Sequence, residues 1–407
     1  MFFSMFKPKN YGPEDLERDL KWAYGGGDTF SGISVSQETA MRVGAVFGCV
    51  RVLAEDVGKI PLILYRRLER GRQRAPDHRL YDLLHNRPNE YQTSAEWREM
   101  MQGHAALRGN AYSLISRDSS GRPIELLPLH PDSCEPHMSD SLELTYRVKM
   151  HNGRAKDFAM KDIFHLRGLS SNGYSGLSVI GHSREAIGLA SATERFGAQL
   201  FRNGAKPGGI LKHPSSFSSN EVANRVRESW DAATSGDNTH KTAVLEEGMD
   251  WVAVGMTSED AQFLETRKFQ AVDICRFFRV PPYKIYADVE KAKGWSTLEQ
   301  QTRDYLNDSL LPWLVKWEQA ISSRLLTRDE RQYLYPEFLL EGLLRADTKS
   351  RQEALQIQRR NGIISANEWR QLENMNPRTD PGGDEYIYEA NMTTGEDNAE
   401  PNDAAQQ

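Results

Sequence analysis

Four charged residues, Asp288, Glu290, Lys291 and Lys293, crowd a short segment that opens with Pro281-Pro282 and ends at Trp295. Without further context, the plainer reading is an exposed loop joining two helices. His130, Cys134 and His137 form an H-x3-C-x2-H run of metal-ligand type, but Pro131 and Pro136 suit strand and turn better, and no fourth ligand stands nearby. Gly173-Tyr-Ser175-Gly176 approaches a nucleophile elbow, yet its second glycine falls one residue early, so a turn between strand and helix is expected instead. No GxxxxGK[ST] phosphate cradle occurs, and the remaining histidines fit no HExxH arrangement. No metal, no other cofactor and no catalytic residue are therefore expected. A metal-dependent hydrolase built around the His130 cluster is the competing class.

Three helices frame the charged segment. Residues Ser183 to Asn203 carry Leu189, Ala192, Phe196 and Leu200 at helical spacing, while Gly188, Ala190, Gly197 and Ala198 leave room for a close neighbour. A second helix opens at Thr257, with Asp260 three residues on, and stops at Val280 because Pro281 and Pro282 cannot continue it. A third opens with Ser296 and Glu299 as a capping box and repeats Leu298, Tyr305, Trp313, Trp317, Ile321 and Leu325 near a 3.6 period. At about 1.5 Å per residue it would span roughly 45 Å, and Pro312 inside it should bend it. Its aromatic stripe is expected to pack rather than to stack on bases.

The whole chain has 407 residues, 39% of them hydrophobic, enough for two or more packed units. A mean hydropathy of -0.64 and the lack of a long apolar run leave no expected membrane span. The start, Met1-Phe-Phe-Ser-Met-Phe-Lys, has no apolar core after a basic region, so no signal peptide is expected and the product should stay in the cytoplasm. Cys49, Cys134 and Cys275 are far apart in sequence and form no CxxC pair, which predicts free buried thiols. With 51 basic against 57 acidic residues the formal charge is -6, unlike the basic profile of a tight nucleic-acid binder.

Ahead of the three helices the pattern is mixed. Residues 1–33, with Tyr24-Gly-Gly-Gly, read as a flexible arm. Ala40, Val43, Phe47, Val50, Leu53 and Val57 predict one helix from Gln37 to Ile60, followed by a strand at Pro61 to Tyr65. Short helices are expected at His78 to Asn86 and from a Thr93 or Ser94 cap to Ala106. Strands are expected at Ala111 to Arg117, Ile124 to Leu129, Leu142 to Met150 and Asp162 to Arg167, which makes an α+β unit. Residues 204–256 form a separate α/β insert: strand candidates at Gly209 to Lys212, Thr242 to Leu245 and Trp251 to Val254, and a helix capped by Ser218 or Ser219. That helix carries Glu221, Arg225, Arg227 and Glu228, a charged face that taken alone reads as solvated. Beyond Leu326, helices are expected at Asp347 to Arg360 and from a Ser365/Glu368 capping box to Glu373, and an acidic disordered tail from Pro377.

Several of these stretches, in this order, resemble the portal proteins of tailed bacteriophages, the HK97-like family. They are Leu177-Ser-Val-Ile180, Arg195 to Gly209, Asp260 to Phe269, Phe278-Arg-Val-Pro-Pro282 and Leu310-Leu-Pro-Trp313, and the match runs from about Ser34 to about Asn376. The resemblance implies portal architecture: an α+β wing at 34–182, stem helices at 183–203 and 257–280, a small α/β clip at 204–256, a tunnel loop at 281–295, a long kinked helix at 296–327 and a helical crown at 328–376, before the tail at 377–407. It also implies a ring, usually of twelve subunits, at one capsid vertex, through which double-stranded DNA passes without sequence-specific reading. The partners it implies are the terminase large subunit, a head-tail adaptor and the major capsid protein or scaffold. By the same resemblance the tunnel loop places Asp288, Glu290, Lys291 and Lys293 in the channel, and the clip helix docks through Glu221, Arg225, Arg227 and Glu228. A head-completion adaptor ring is the nearest alternative.

Overall fold

The structure, a computed structural model, describes residues 27–69, 71–150, 152–202, 209–214, 219–234, 248–253, 259–287, 295–340, 348–373 and 375–387. Residues 1–338 and 339–407 form two compact units.

The first unit opens with a hairpin of β1 (Gly27–Asp28) and β2 (Ser34–Val35). The end of the expected arm is thus folded, because Thr29 lodges against Gly188, where a Cβ would lie 2.6 Å from the threonine side chain. The helix expected from Gln37 to Ile60 is two helices. A Ser36/Thr39 capping box starts a single turn, Gln37–Ala40, and Val43 turns extended before α1 (Gly44–Lys59). The break resets the helical phase: Val46, Val50, Leu53 and Val57 face the core, while Phe47 is left 46% exposed.

After α1 come β3 (Leu62–Arg67), β4 (Arg72–Arg74), α2 (Arg79–His85) and α3 (Ser94–Arg108). Thr93 and Glu96 close the start of α3 as a capping box, and Gly109 ends it in the left-handed conformation with φ 76°. Then follow β5 (Asn110–Arg117), β6 (Pro123–Leu129), β7 (Cys134–Met138), β8 (Leu144–Lys149), β9 (Ala155–Ala159) and β10 (Ile163–Arg167). They make two antiparallel sheets, ordered β10-β5-β6 and β7-β8-β9. Cys134, Tyr146 and Val148 of the second pack with Tyr112 and Ile163 of the first.

The unit continues with α4 (Arg184–Arg202), β11 (Gly209–Lys212), α5 (Asn220–Thr234), β12 (Asp250–Ala253), α6 (Glu259–Phe278), α7 (Trp295–Asp304), α8 (Leu311–Leu325) and β13 (Leu334–Phe338), besides single helical turns at Val179–His182 and Glu330–Tyr333. Strands β11 and β12 pair antiparallel, Leu211 opposite Trp251. The Thr242 to Leu245 strand candidate and the Thr257 cap lie outside the described residues. Strand β13 pairs with β3, Pro336 opposite Leu64, so the segment 334–338 belongs to the first unit.

Two buried arrangements hold this unit together. Trp97 on α3, Phe164 on β10 and Trp317 on α8 meet with ring centroids 5.3 to 5.8 Å apart, in the offset and edge-on poses that aromatic pairs favour. Both indoles are satisfied: Trp97 Nε1 donates to Ser113 Oγ at 3.0 Å and Trp317 Nε1 to Gln102 Oε1 at 2.9 Å. The buried Arg98 guanidinium donates to the Gly58 carbonyl at 2.8 Å, the Ile60 carbonyl at 3.3 Å and the Leu84 carbonyl at 3.0 Å. It therefore closes the C-terminal ends of both α1 and α2, where orphan carbonyls concentrate negative potential.

The second unit contains α9 (Thr348–Arg360) and α10 (Ala366–Leu372). Gly362, with φ 65°, turns the chain between them, and the Ser365/Glu368 capping box opens α10. The tail expected to be disordered from Pro377 is folded as far as Ile387. Asn367 is the reason: its Nδ2 donates to Asp384 Oδ1 at 2.9 Å and its Oδ1 accepts from the Arg378 N–H, while Tyr386 OH donates to Glu368 Oε1 at 3.0 Å.

Candidate functional site

The helices expected to form a stem, α4 and α6, lie side by side. Gln270 Nε2 donates to Thr193 Oγ1 at 3.1 Å, and Arg267 Nη2 lies 3.6 Å from Glu194 Oε1. At its lower end the pair is continuous with the core of α1, since Ile187, Ala190, Ile274, Cys275 and Phe278 are buried in one cluster with Val46, Cys49 and Val50. The three cysteines are free and buried, as their spacing predicts, and Cys49 Sγ lies 3.8 Å from Cys275 Sγ. That contact, with burial behind it, raises the Cys49 thiol above its usual range.

Helix α6 stops in a Schellman turn. The Val280 N–H bonds the Cys275 carbonyl at 3.0 Å and the Arg279 N–H bonds the Arg276 carbonyl at 3.1 Å, with Arg279 left-handed at φ 54°. Glycine is usual there, so arginine costs about 1 kcal/mol of backbone strain. Pro281 and Pro282 then forbid any return to helix, and a short 3-10 turn, Pro282–Ile285, ends in a second left-handed residue, Tyr286 at φ 58°.

Four side chains pin this turn. Tyr283 OH donates to the Gln301 carbonyl at 2.6 Å, and Ser309 Oγ donates to the Arg279 carbonyl. Lys284 Nζ sits 4.3 Å from the centroid of the Tyr305 ring. Ile285 packs on Gly48, where a Cβ would approach it to 3.1 Å. Beneath them Asp56 pairs with Lys59. Burial, reinforced by Asp56, raises the Tyr305 hydroxyl, and burial lowers the Lys284 ammonium. Burial, with Asp304 and Asp56 next, pushes Tyr283 up to about 12.

Helix α7 already runs at Trp295, so Ser296 lies inside it rather than at its cap. The bend expected at Pro312 takes another form: Tyr305–Leu310 is a π-helical turn and Pro312 falls in the first turn of α8. The proline has no N–H for the Asp308 carbonyl and its ring crowds that group. One extra residue per turn relieves the conflict, and the Leu311 N–H reaches back to Leu306. Tyr305 and Trp317 of the aromatic stripe are buried, which confirms packing as their role.

The tunnel-loop residues Asp288, Glu290, Lys291 and Lys293 lie outside the described residues; the structure describes the chain up to Ala287 and again from Trp295. On α5, Glu221, Arg225, Arg227 and Glu228 are all exposed, with Glu221, Arg225 and Glu228 on one face by their spacing. Val222, Ala223, Val226 and Trp230 supply the partly covered face. The His130 cluster does not converge: along β7 Cys134 points inward and His137 outward. Among the described residues no group of three His, Cys, Asp or Glu side chains could hold a metal. Ser175 belongs to a turn fixed by Asn172 Oδ1, and Gly176 is required because a Cβ there would lie 1.9 Å from the Gly109 carbonyl oxygen. Sequence reasoning missed Asp56, Lys59 and Gly48 as supports of the loop root. Nothing local marks them, since they reach the root from more than 220 positions away.

Residues 44–374 match the family model described as phage portal protein. The chain belongs to the phage portal protein family. It is 33% identical to the portal protein of Enterobacteria phage HK97 over 360 residues, covering 88% of this chain and 84% of that one. It is 32% identical to the probable portal protein of Streptomyces phage phiC31 over 382 residues, covering 91% and 82%. Among solved structures it resembles a chain in the neck of an empty gene transfer agent particle computed with C6 symmetry. That likeness has a TM-score of 0.61 at 25% identity, over 87% of this chain and 97% of that one. The mixed helix-and-sheet architecture is thus a portal fold, as the α+β reading anticipates.

Proposed function

We propose that this chain is one of about twelve identical subunits of a ring at a single capsid vertex, a non-enzymatic conduit for double-stranded DNA during packaging and ejection. The observation that carries the reading is the family match across residues 44–374, on a fold shared with a chain of a C6-symmetric particle neck. Twelve copies satisfy that symmetry. In the ring, α4 and α6 form the stem, and residues 288–293 extend from the pinned turn toward the duplex, where Lys291 and Lys293 touch phosphates briefly and Asp288 and Glu290 prevent tight holding. Twelve copies at -6 each give -72, a wall that repels phosphate and favours sliding. The exposed face of α5 receives the terminase large subunit and later the head-tail adaptor, and the assembled ring nucleates the prohead with the major capsid protein or scaffold.

Negative-stain class averages of the purified protein should show annular particles; a chain that stays a lone subunit at every concentration overturns the proposal. Replacing residues 288–293 by Gly/Ser should leave rings and proheads intact while DNA filling falls. Undiminished filling would remove the loop from the mechanism without removing the ring.

A further inference from the structure

An open groove of about 570 Å³ lies beside the β1-β2 hairpin, lined by Phe30, Leu189 and Phe277 together with His182, Glu185 and Asp273. Phe30 is fully exposed, Leu189 is 51% exposed and Phe277 40% exposed. Yet the hairpin tip that carries Phe30 is held firmly: its N–H donates to Glu185 Oε2 at 3.1 Å, and Thr29 is seated on Gly188. An aromatic fixed by its backbone while no side chain of the single chain covers its ring marks a surface open to cover.

The chain just before this hairpin supplies matching chemistry. Residues 1–26 lead directly into β1, and they begin Met1-Phe-Phe-Ser-Met-Phe-Lys-Pro-Lys9. Phe2, Phe3, Met5 and Phe6 complement the three apolar lining residues. Lys7 and Lys9 complement Glu185 and Asp273, the latter already bonded by Arg276 at 3.0 Å, so that Glu185 carries the larger attraction. The residues between Lys9 and Gly27 could span up to roughly 55 Å when extended, more than enough to fold back. A tether of that length also holds the segment at an effective concentration near millimolar.

We propose that the groove beside Phe30 is the seat of this chain's own segment Phe2–Lys9, whose phenylalanines cover Phe30, Leu189 and Phe277 while its lysines face Glu185 and Asp273. The segment then shields an apolar strip at the junction of hairpin and stem and ties the start of the chain to α4 and α6.

Full-length chain carrying Phe3→Cys and Leu189→Cys tests this with a short bis-maleimide, because the native thiols are all buried. Phe3→Cys with Leu142→Cys is the control, since Leu142 is 82% exposed in the β7-β8 turn. Cross-linking within one chain should run faster than in the control by on the order of tenfold, as a docked tether requires. Adding Glu185→Lys should slow it severalfold. Ala186→Cys, another lining position, gives the same readout if Leu189→Cys disturbs α4. Equal rates in groove and control pairs overturn the proposal, and so does a link that joins isotopically distinct copies rather than one chain. Neither outcome depends on how many subunits assemble.

Discussion

The loop root at 281–287 and the insert that carries α5 both adjoin the helices α4 and α6, but they are held in opposite ways. At the root, a Schellman turn, two prolines and contacts from Tyr283, Lys284, Ile285 and Ser309 leave the chain almost no local freedom. On α5 the charged side chains Glu221, Arg225, Arg227 and Glu228 stand in solvent, and only its apolar face is partly covered. A root held by so many contacts fixes the direction in which the chain leaves it. A helix face left in solvent keeps its polar groups hydrated until something replaces the water.

That contrast can be broken in graded steps. The largest effect is expected in the aromatic cluster under α8: Trp317→Ala should cost about 3 to 5 kcal/mol by emptying the space against Trp97 and Phe164, read as a lower urea midpoint. Acid should come next. His104 is held down at about 4 by burial, then by Arg108 and His130, and the fully buried His165 is lowered in the same direction. Because the unfolded imidazole binds its proton near 6.5, stability is complete above that pH and is lost as pH falls toward 4, by about 3 kcal/mol for His104. Urea titrations at pH 7.5 and 4.5 measure this, and His104→Gln should flatten the difference.

Smaller changes sharpen the root itself. Ser309→Ala removes the donor to the Arg279 carbonyl and should cost about 1 kcal/mol. Arg279→Gly should instead stabilise by about 0.5 to 1 kcal/mol, since glycine adopts φ 54° without strain. Both are read by thermal melts. The smallest effect on stability belongs to α5: reversing Glu221 and Arg225 together should move the unfolding midpoint by no more than about 0.5 kcal/mol. Pull-down of the packaging ATPase should nonetheless weaken, and an unchanged pull-down would take those residues out of the docking surface.

How much of this could be read beforehand depended on whether the cause was local. The caps at Thr93/Glu96 and Ser365/Glu368 start their helices where sequence places them, because the bonds involved span three residues. The Pro281-Pro282 stop is equally local. Strand β9 escaped notice because Ala155-Lys-Asp-Phe-Ala159 is nearly all exposed and has no apolar alternation, and β7 because Pro136 interrupts it. Strand β13 was hidden by its proline and by a partner, β3, at the far end of the chain. The loop root was half legible: its punctuation is written in the sequence, but Asp56, Lys59 and Gly48 arrive only through tertiary folding.

The pairing of Pro336 with Leu64 has a consequence for biogenesis. The sheet that β3 begins cannot be completed until more than 270 further residues have left the ribosome. At translation speeds of about 5 to 20 residues per second, that delay is on the order of tens of seconds. Throughout it, one edge of β3 has backbone donors and acceptors with no partner, a template for the wrong strand. A chain broken off before Leu334 never acquires its closing strand, and that edge of β3 stays unpaired.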